Sequence, residues 1–237
     1  MNKINVAIDG PASAGKSTIA KKVAEELGFI YLDTGAMYRT LTYAALAKQV
    51  SLEDEEALYR LLRETEITFS AGKEKQHVYL NAADVTEIIR SEDVTQNVSL
   101  VSSFAKVRKE MVARQKEIAK SGGVVMDGRD IGTVVLPQAE VKIFMTATAE
   151  ERALRRYKEN VAKGINTSLE ELTEDMRRRD HLDSTRAISP LKRADDAIEL
   201  DSTHLTIDEV VQEILAVITQ KNKTLTSAES TILDVSK

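Results

Sequence analysis

The chain has no cysteine among its 237 residues, which excludes disulfides and thiolate metal sites. Proline occurs three times, and no low-complexity linker divides the chain. No apolar run approaches the length of a membrane span, and the N-terminal apolar strand is too short for a signal peptide; a soluble, cytoplasmic protein is expected. Positive charge is in deficit, with 33 Lys and Arg against 38 Asp and Glu, a net −5. A chain of that sign is a poor general binder of nucleic acid. Histidine is scarce as well: His77, His181 and His204 are scattered, and none is placed like a general base.

What is present begins at residue 10. Gly10-Pro11-Ala12-Ser13-Ala14-Gly15-Lys16-Ser17-Thr18 is a complete G-x-x-x-x-G-K-S phosphate-binding loop. Ahead of it Ile4, Val6 and Ile8 alternate with Asn5, Ala7 and Asp9, the period of a strand. Behind it Ile19, Val23 and Leu27 recur every four residues and the pattern stops at Gly28, as in an amphipathic helix. Strand, loop and helix start together aim backbone N–H groups and a positive helix end at a phosphate. Lys16 can then reach the β- and γ-phosphates of a nucleoside triphosphate, and the Ser17 hydroxyl can ligate magnesium.

The length allows one large domain, or a core carrying small inserts. Five β-like runs, at 4–9, 29–33, 124–127, 141–145 and 197–201, are mostly separated by helical patterns. That alternation predicts an α/β core with a largely parallel sheet, whose ligand lies outside the carboxyl ends of the strands. Two excursions interrupt it. The first, about 34–107, carries a charged helix at 52–62, strands at 66–70 and 76–80 around a turn at 71–73, and a helical stretch at 99–119. The second, 150–186, is cationic: between Arg152 and Arg193 there are 11 Lys or Arg against 7 Asp or Glu. Within it Ser168-x-x-Glu171 reads as a capping box. Residues 221–237 are polar and read as a frayed tail.

A phosphate loop does not by itself fix a class. A regulatory GTPase needs an Asn-Lys-x-Asp clamp, and both Asn-Lys pairs, at the termini, lack the Asp. A small-molecule kinase gains from three further clusters, each with a plainer alternative. The run Leu32-Asp33-Thr34-Gly35-Ala36-Met37-Tyr38-Arg39 can hold a second phosphate-bearing ligand, or Thr34 can merely cap a helix. Met126-Asp127-Gly128-Arg129-Asp130-Ile131-Gly132 can place a carboxylate, Asp127, near magnesium, or form a turn balanced by an internal Arg129–Asp130 pair. Arg152, Arg155, Arg156, Arg177, Arg178, Arg179 and Arg186 can close over phosphate oxygens, or line a charged helix face. Successive helix residues diverge by ~100°, so 177–179 cannot all face one phosphate. Arg179, Asp183 and Arg186, at i, i+4 and i+7, share a face if the helix continues, and this trio is expected on the functional side.

Taken together, the phosphate loop, Leu32–Arg39, Asp127-Gly-Arg-Asp-Ile-Gly-Thr-Val-Val135 and Arg179-Asp180 followed by Arg186-Ala187 resemble the bacterial cytidylate kinases of the nucleoside monophosphate kinase family, over about residues 3–219. The resemblance implies a five-stranded parallel sheet of order 2-3-1-4-5 flanked by helices. It also implies a core of 1–33, 108–149 and 187–220, an acceptor-binding domain at 34–107 with a β insert near 66–95, and a lid at 150–186. It implies ATP and Mg2+ as cofactors, CMP and dCMP as acceptors, Arg155 and Arg156 with the loop on the ATP side, and Ser17 and Asp127 at the metal. Ser99, Arg108 and Asp130 would read the cytosine; Arg39, Arg129 and Arg186 would meet the monophosphate; Thr34, Arg179 and Asp183 would serve the sugar and lid closure. Lys16, Arg129, Asp130, Arg179 and Arg186 form the implied catalytic set. UMP or AMP as acceptor, or a non-catalytic ATP switch, are the rival readings, and nothing in the chain demands more than a monomer.

Overall fold

The computed structural model describes residues 3–70, 76–162 and 164–235. In chain order these form β1 (Asn5–Asp9), α1 (Lys16–Leu27), β2 (Ile30–Asp33), α2 (Thr34–Ala47), α3 (Glu55–Arg63), β3 (Ile67–Ser70), β4 (His77–Leu80) and β5 (Ala83–Asp84). There follow a 3-10 turn (Ile88–Arg90), α4 (Glu92–Val101), α5 (Ala105–Ala119), β6 (Val124–Gly128) and a π-type turn (Ile131–Val135). The chain ends with β7 (Val141–Thr146), α6 (Ala149–Ala162), α7 (Leu169–Thr185), β8 (Ile198–Asp201) and α8 (Ile207–Val235). Two compact units result: Met1–Leu32 with Ala119–Ser184 and Leu191–Lys237, and Asp33–Ile118 with Thr185–Pro190.

The first unit is built on a five-stranded sheet of order β2-β6-β1-β7-β8, which is 2-3-1-4-5 when only its own strands are counted. β1 pairs in parallel with β6 on one side and β7 on the other, and β7 with β8. Val6, Ile8, Val141, Ile143 and Met145 bury one sheet face against Ile19 and Val23 of α1 and Val210, Ile214 and Ile218 of α8. This apolar slab lets the strand ends carry charge.

In the second unit β3, β4 and β5 form an antiparallel sheet. Val78, Val85 and Ile89 pack with Ala36 of α2, supported by Tyr43, Ile67, Phe69 and Leu80. The short third strand carried no sequence signal, and the turn expected at 71–73 lies outside the described residues. The helical stretch expected at 99–119 is divided. Hydroxyls of Ser102 and Ser103 donate to the carbonyls of Ser99 (3.2 Å) and Leu100 (2.7 Å), ending α4 before α5 begins.

Beyond Gln220 the expected frayed tail is corrected in its secondary structure, since α8 continues to Val235. No Gly or Pro interrupts residues 207–235. Thr219 and Thr224 donate their hydroxyls back to Leu215 and Gln220 carbonyls, so these polar side chains fit a helix.

Candidate active site

The phosphate loop leaves β1 through Gly10, whose φ is +151° and whose hypothetical Cβ would sit 2.2 Å from the Met145 carbonyl oxygen. Only glycine fits there. The loop ends in Gly15, a left-handed N-cap for α1, and no side chain bonds to that cap. No cap side chain therefore covers the first-turn N–H groups of α1, a helix start suited to an anion. Lys16 is 5% exposed, and its Nζ donates to the Pro11 carbonyl at 2.6 Å. Burial, and then repulsion from Arg129, hold the Lys16 pKa well below the usual lysine range; Asp127 and Asp9 pull it up, and Arg179 pushes it further down.

Asp127, at the end of β6, accepts from Ser17 Oγ at 2.8 Å and from the Tyr31 hydroxyl at 2.9 Å. Tyr31 was not singled out by any sequence pattern; an aromatic in a strand ordinarily reads as core. The next side chain along, Arg129, donates Nε to Asp183 Oδ2 of α7 at 2.9 Å. Arg129 is thus bonded to a carboxylate on another element. Burial is the largest influence on Arg129 and opposes its charge, yet Asp183, with Asp127 and Asp9, lifts its pKa above the ordinary arginine value. Asp130 itself is buried. Asp9, also missed in the sequence, is buried, and both its oxygens are bonded to backbone amides of the turn after Asp130.

The cationic excursion separates into distinct roles. Arg152 is buried and donates to the carbonyls of Ala12 (3.0 Å) and Ala147 (2.9 Å) and to both oxygens of Asp180. With Ala12 packed among Ala153 and Met176, this arginine fastens α6 and α7 to the phosphate loop. Arg155 donates to the Ser202 carbonyl at 2.6 Å, and its Nη1 lies 4.0 Å from where a Gly15 Cβ would be. Arg156, by contrast, pairs with Glu159 at 3.4 Å within its own helix. Arg177 and Arg178 pair with Glu150 and Asp175 on exposed surface. The capping box holds, with Ser168 Oγ accepting from Glu171 N at 3.0 Å and Glu171 accepting from Ser168 N at 3.4 Å. One expectation is corrected: α7 stops at Thr185, so Arg186 does not share a helix face with Arg179 and Asp183. The chain turns there through Ser189, at φ 49°, with Arg186 Nε donating to its carbonyl at 2.7 Å.

In the second unit the cap of α2 is Asp33, not Thr34: its Oδ1 accepts from Ala36 N at 2.8 Å. Its Oδ2 accepts from Arg39 (2.7 Å) and from Arg90 (3.2 Å). Thr34 is buried at the first position of the helix. Ser99 lies in the last turn of α4. Arg108, buried in α5, donates to the Ser102 carbonyl at 2.9 Å and stacks its guanidinium over the Tyr38 ring, 5.3 Å from the centroid.

A family model described as cytidylate kinase matches residues 6–220. The chain belongs to the cytidylate kinase family. A protein named cytidylate kinase from Ligilactobacillus salivarius (strain UCC118) is 58% identical over 94% of this chain and 99% of its own length. One of the same name from Bacillus cereus (strain B4264) is 59% identical over 91% of this chain and 96% of its own. Among solved structures, a gluconokinase from Sinorhizobium meliloti 1021 aligns over 95% of this chain and 97% of its own, at 13% identity and TM-score 0.48, too loosely to bear on function.

Magnesium typically keeps several waters and takes one or two carboxylates together with substrate phosphates. A hydroxyl and a carboxylate 2.8 Å apart, Ser17 and Asp127, beside the open start of α1, fit that habit. Among the described residues no group of three or more His, Cys, Asp or Glu forms a metal cage, and none of their helices is long and apolar enough to cross a membrane.

Proposed function

We propose that the chain transfers the γ-phosphoryl group of ATP to CMP and dCMP, giving ADP with CDP or dCDP. The observation that carries this reading is the buried ammonium of Lys16 at the open N-terminus of α1, with Arg129 and Arg179 close enough to depress its pKa. Like charges held together in a buried site favour the arrival of a polyanion, and phosphoryl transfer is catalysed largely by such positioning and charge stabilisation. The family match supplies the acceptor class. Its acceptor oxygen is already mostly ionised near neutral pH, so no histidine base is needed.

In this reading the loop amides and Lys16 bind the triphosphate, and Arg155, which lies against Gly15, supports the ATP side rather than Arg156. Ser17 and Asp127 would hold Mg2+, which supplies charge neutralisation on the phosphates. Tyr31, through its bond to Asp127, orients that carboxylate. Arg129, Arg39 and Arg186 meet the acceptor phosphate; Thr34, Arg179 and Asp183 serve its sugar and the closing of 150–186 as a lid. Ser99, Arg108 and Asp130 read the base. Cytosine presents an amino donor at N4 that a carboxylate can accept from, whereas uracil presents an oxygen there. The first unit then carries the donor side and residues 34–107 the acceptor side, in a cytoplasmic monomer acting on small nucleotides. A coupled ADP-release assay over CMP, dCMP, UMP and AMP tests this. Turnover highest with CMP and dCMP is expected; equal rates with UMP or AMP overturn the acceptor assignment, and ATP binding without turnover overturns the enzyme.

A further inference from the structure

Asp9 closes β1 immediately before the phosphate loop, and its role is not explained by contact with phosphate. Its Oδ1 accepts from the Ile131 amide at 2.8 Å and its Oδ2 from the Gly132 amide at 2.7 Å. A carboxylate is an acceptor at both oxygens, so each oxygen takes one of the two successive N–H groups. Those amides follow Asp130 directly. Lys142 of β7 lies against the same turn. A Cβ on Gly132 would lie 3.2 Å from Lys142 Cδ and 3.4 Å from Asp9 Oδ2. Lys142 cannot simply swing away, because its Nζ donates to Asp196 at 2.8 and 2.9 Å and to the Pro137 carbonyl at 2.7 Å.

Burying a carboxylate is unfavourable unless its hydrogen bonds are made. Here burial, the largest influence, pushes the Asp9 pKa up to about 6 even though both amides pull it down. A turn that needed only closing could have been held by a neutral side chain.

We propose that Asp9 is a positioning residue: through the Ile131 and Gly132 amides it fixes the turn that carries Asp130, so that readout of the acceptor base is set from the end of β1. The proposal rests on the reading of Asp130 as the group that accepts from cytosine.

Asp9→Asn keeps the shape, but its amide NH2 must face one of the two N–H donors. In the full chain, the ratio of kcat/KM for CMP over UMP is measured alongside the KM for ATP and the NMR positions of the Ile131 and Gly132 amides. Asp130→Asn is assayed beside it. Ile214→Ala, which thins the buried face of α8, serves as a destabilised control. The expected result is movement of both amide resonances, a fall in the CMP/UMP ratio of roughly tenfold from the displaced carboxyl group, and an unchanged ratio in Ile214→Ala. If Asp130→Asn lowers the ratio and Asp9→Asn does not, the base reading stands and the positioning role is overturned. If Asp130→Asn leaves the ratio constant, the base reading falls and the proposal with it. Should Asp9→Asn fail to fold, Gly132→Ala crowds the same turn against both Lys142 and Asp9, and an unchanged ratio in a variant whose Ile131 and Gly132 amide resonances have moved overturns the proposal equally.

Discussion

β1 with α1 and β2 with α2 are the same device, a strand ending at the start of a helix, put to opposite uses. At α1 the cap is Gly15, no side chain bonds to it, and the helix start is left for a ligand. At α2 the cap is Asp33, whose own carboxylate takes the Ala36 amide and gathers Arg39 and Arg90 around it. An anion can be bound by main chain at the first. At the second the Asp33 carboxylate already takes the Ala36 amide, and the guanidinium groups of Arg39 and Arg90 lie beside it. The strand-ending aspartates follow suit: Asp9 reaches across to amides of another turn, while Asp33 caps its own helix.

Lys16→Ala breaks the first arrangement most severely. Removing a cation aimed at developing phosphate charge should cost roughly 10²- to 10³-fold in kcat. Because Nζ holds only a carbonyl of its own loop, the midpoint of thermal unfolding should move by no more than a few degrees. Turnover that survives in a folded variant would show that the loop amides suffice alone.

The strand-ending aspartates separate next by pH. Asp9 has a pKa raised by burial from 3.8 to about 6, so between those values the folded chain holds a proton that the unfolded chain has released. Its contribution to stability therefore falls as pH rises from about 4 to 6 and is level above that, by at most about 3 kcal/mol. Asp9→Asn should remove this slope, and urea unfolding from pH 4 to 7 measures it; the same slope in variant and parent would mean Asp9 is not the group responsible.

Asp33→Ala tests the second arrangement. Losing the cap costs about 1 kcal/mol. Losing the bond to Arg39, which is 16% exposed, adds roughly another 1–2 kcal/mol, while the half-exposed Arg90 adds little. Thermal unfolding should show about 2–3 kcal/mol lost. Steady-state kinetics should show KM rising for CMP and holding for ATP; an equal rise for both would erase the distinction between the two helix starts.

The contrast also explains what could be read from sequence. The α1 arrangement is contiguous, since the loop must leave β1 past the Met145 carbonyl oxygen, 2.2 Å from where a Gly10 Cβ would be, and present consecutive amides; its chemistry is spelled in nine adjacent letters. The sheet was legible for a related reason, as strands buried on a shared face repeat Val, Ile and Met. Asp9, Tyr31 and Arg90 were not legible. Each acts on a partner far along the chain, Asp9 on Gly132, Tyr31 on Asp127, Arg90 on Asp33, and no local period records such a pairing. Arg186 is a different case: its helical spacing to Arg179 depends on the helix continuing, and α7 ends at Thr185.

The finest test lies within α6, where two adjacent arginines that the family resemblance places together have separate surroundings. Arg155 Nη2 donates to the Ser202 carbonyl at 2.6 Å, and Nη1 lies against Gly15. Arg156 pairs only weakly, at 3.4 Å and with Glu159 58% exposed, on the outer surface of the helix. Residues ~100° apart on a helix cannot serve the same ligand unless the side chains bend back toward each other. Arg155→Ala should therefore raise the KM for ATP about fivefold by removing a cation beside the open helix start. Arg156→Ala should alter it by less than about twofold and stability by less than about 0.5 kcal/mol, as an exposed i,i+3 pair contributes little. Raising the salt concentration should narrow the gap between the variants only slightly, because Arg155 is partly shielded and Arg156 is already screened. If Arg156→Ala instead has the larger effect, proximity to Gly15 is not what selects the ATP-side arginine, and the outer surface of α6 must face the nucleotide during turnover.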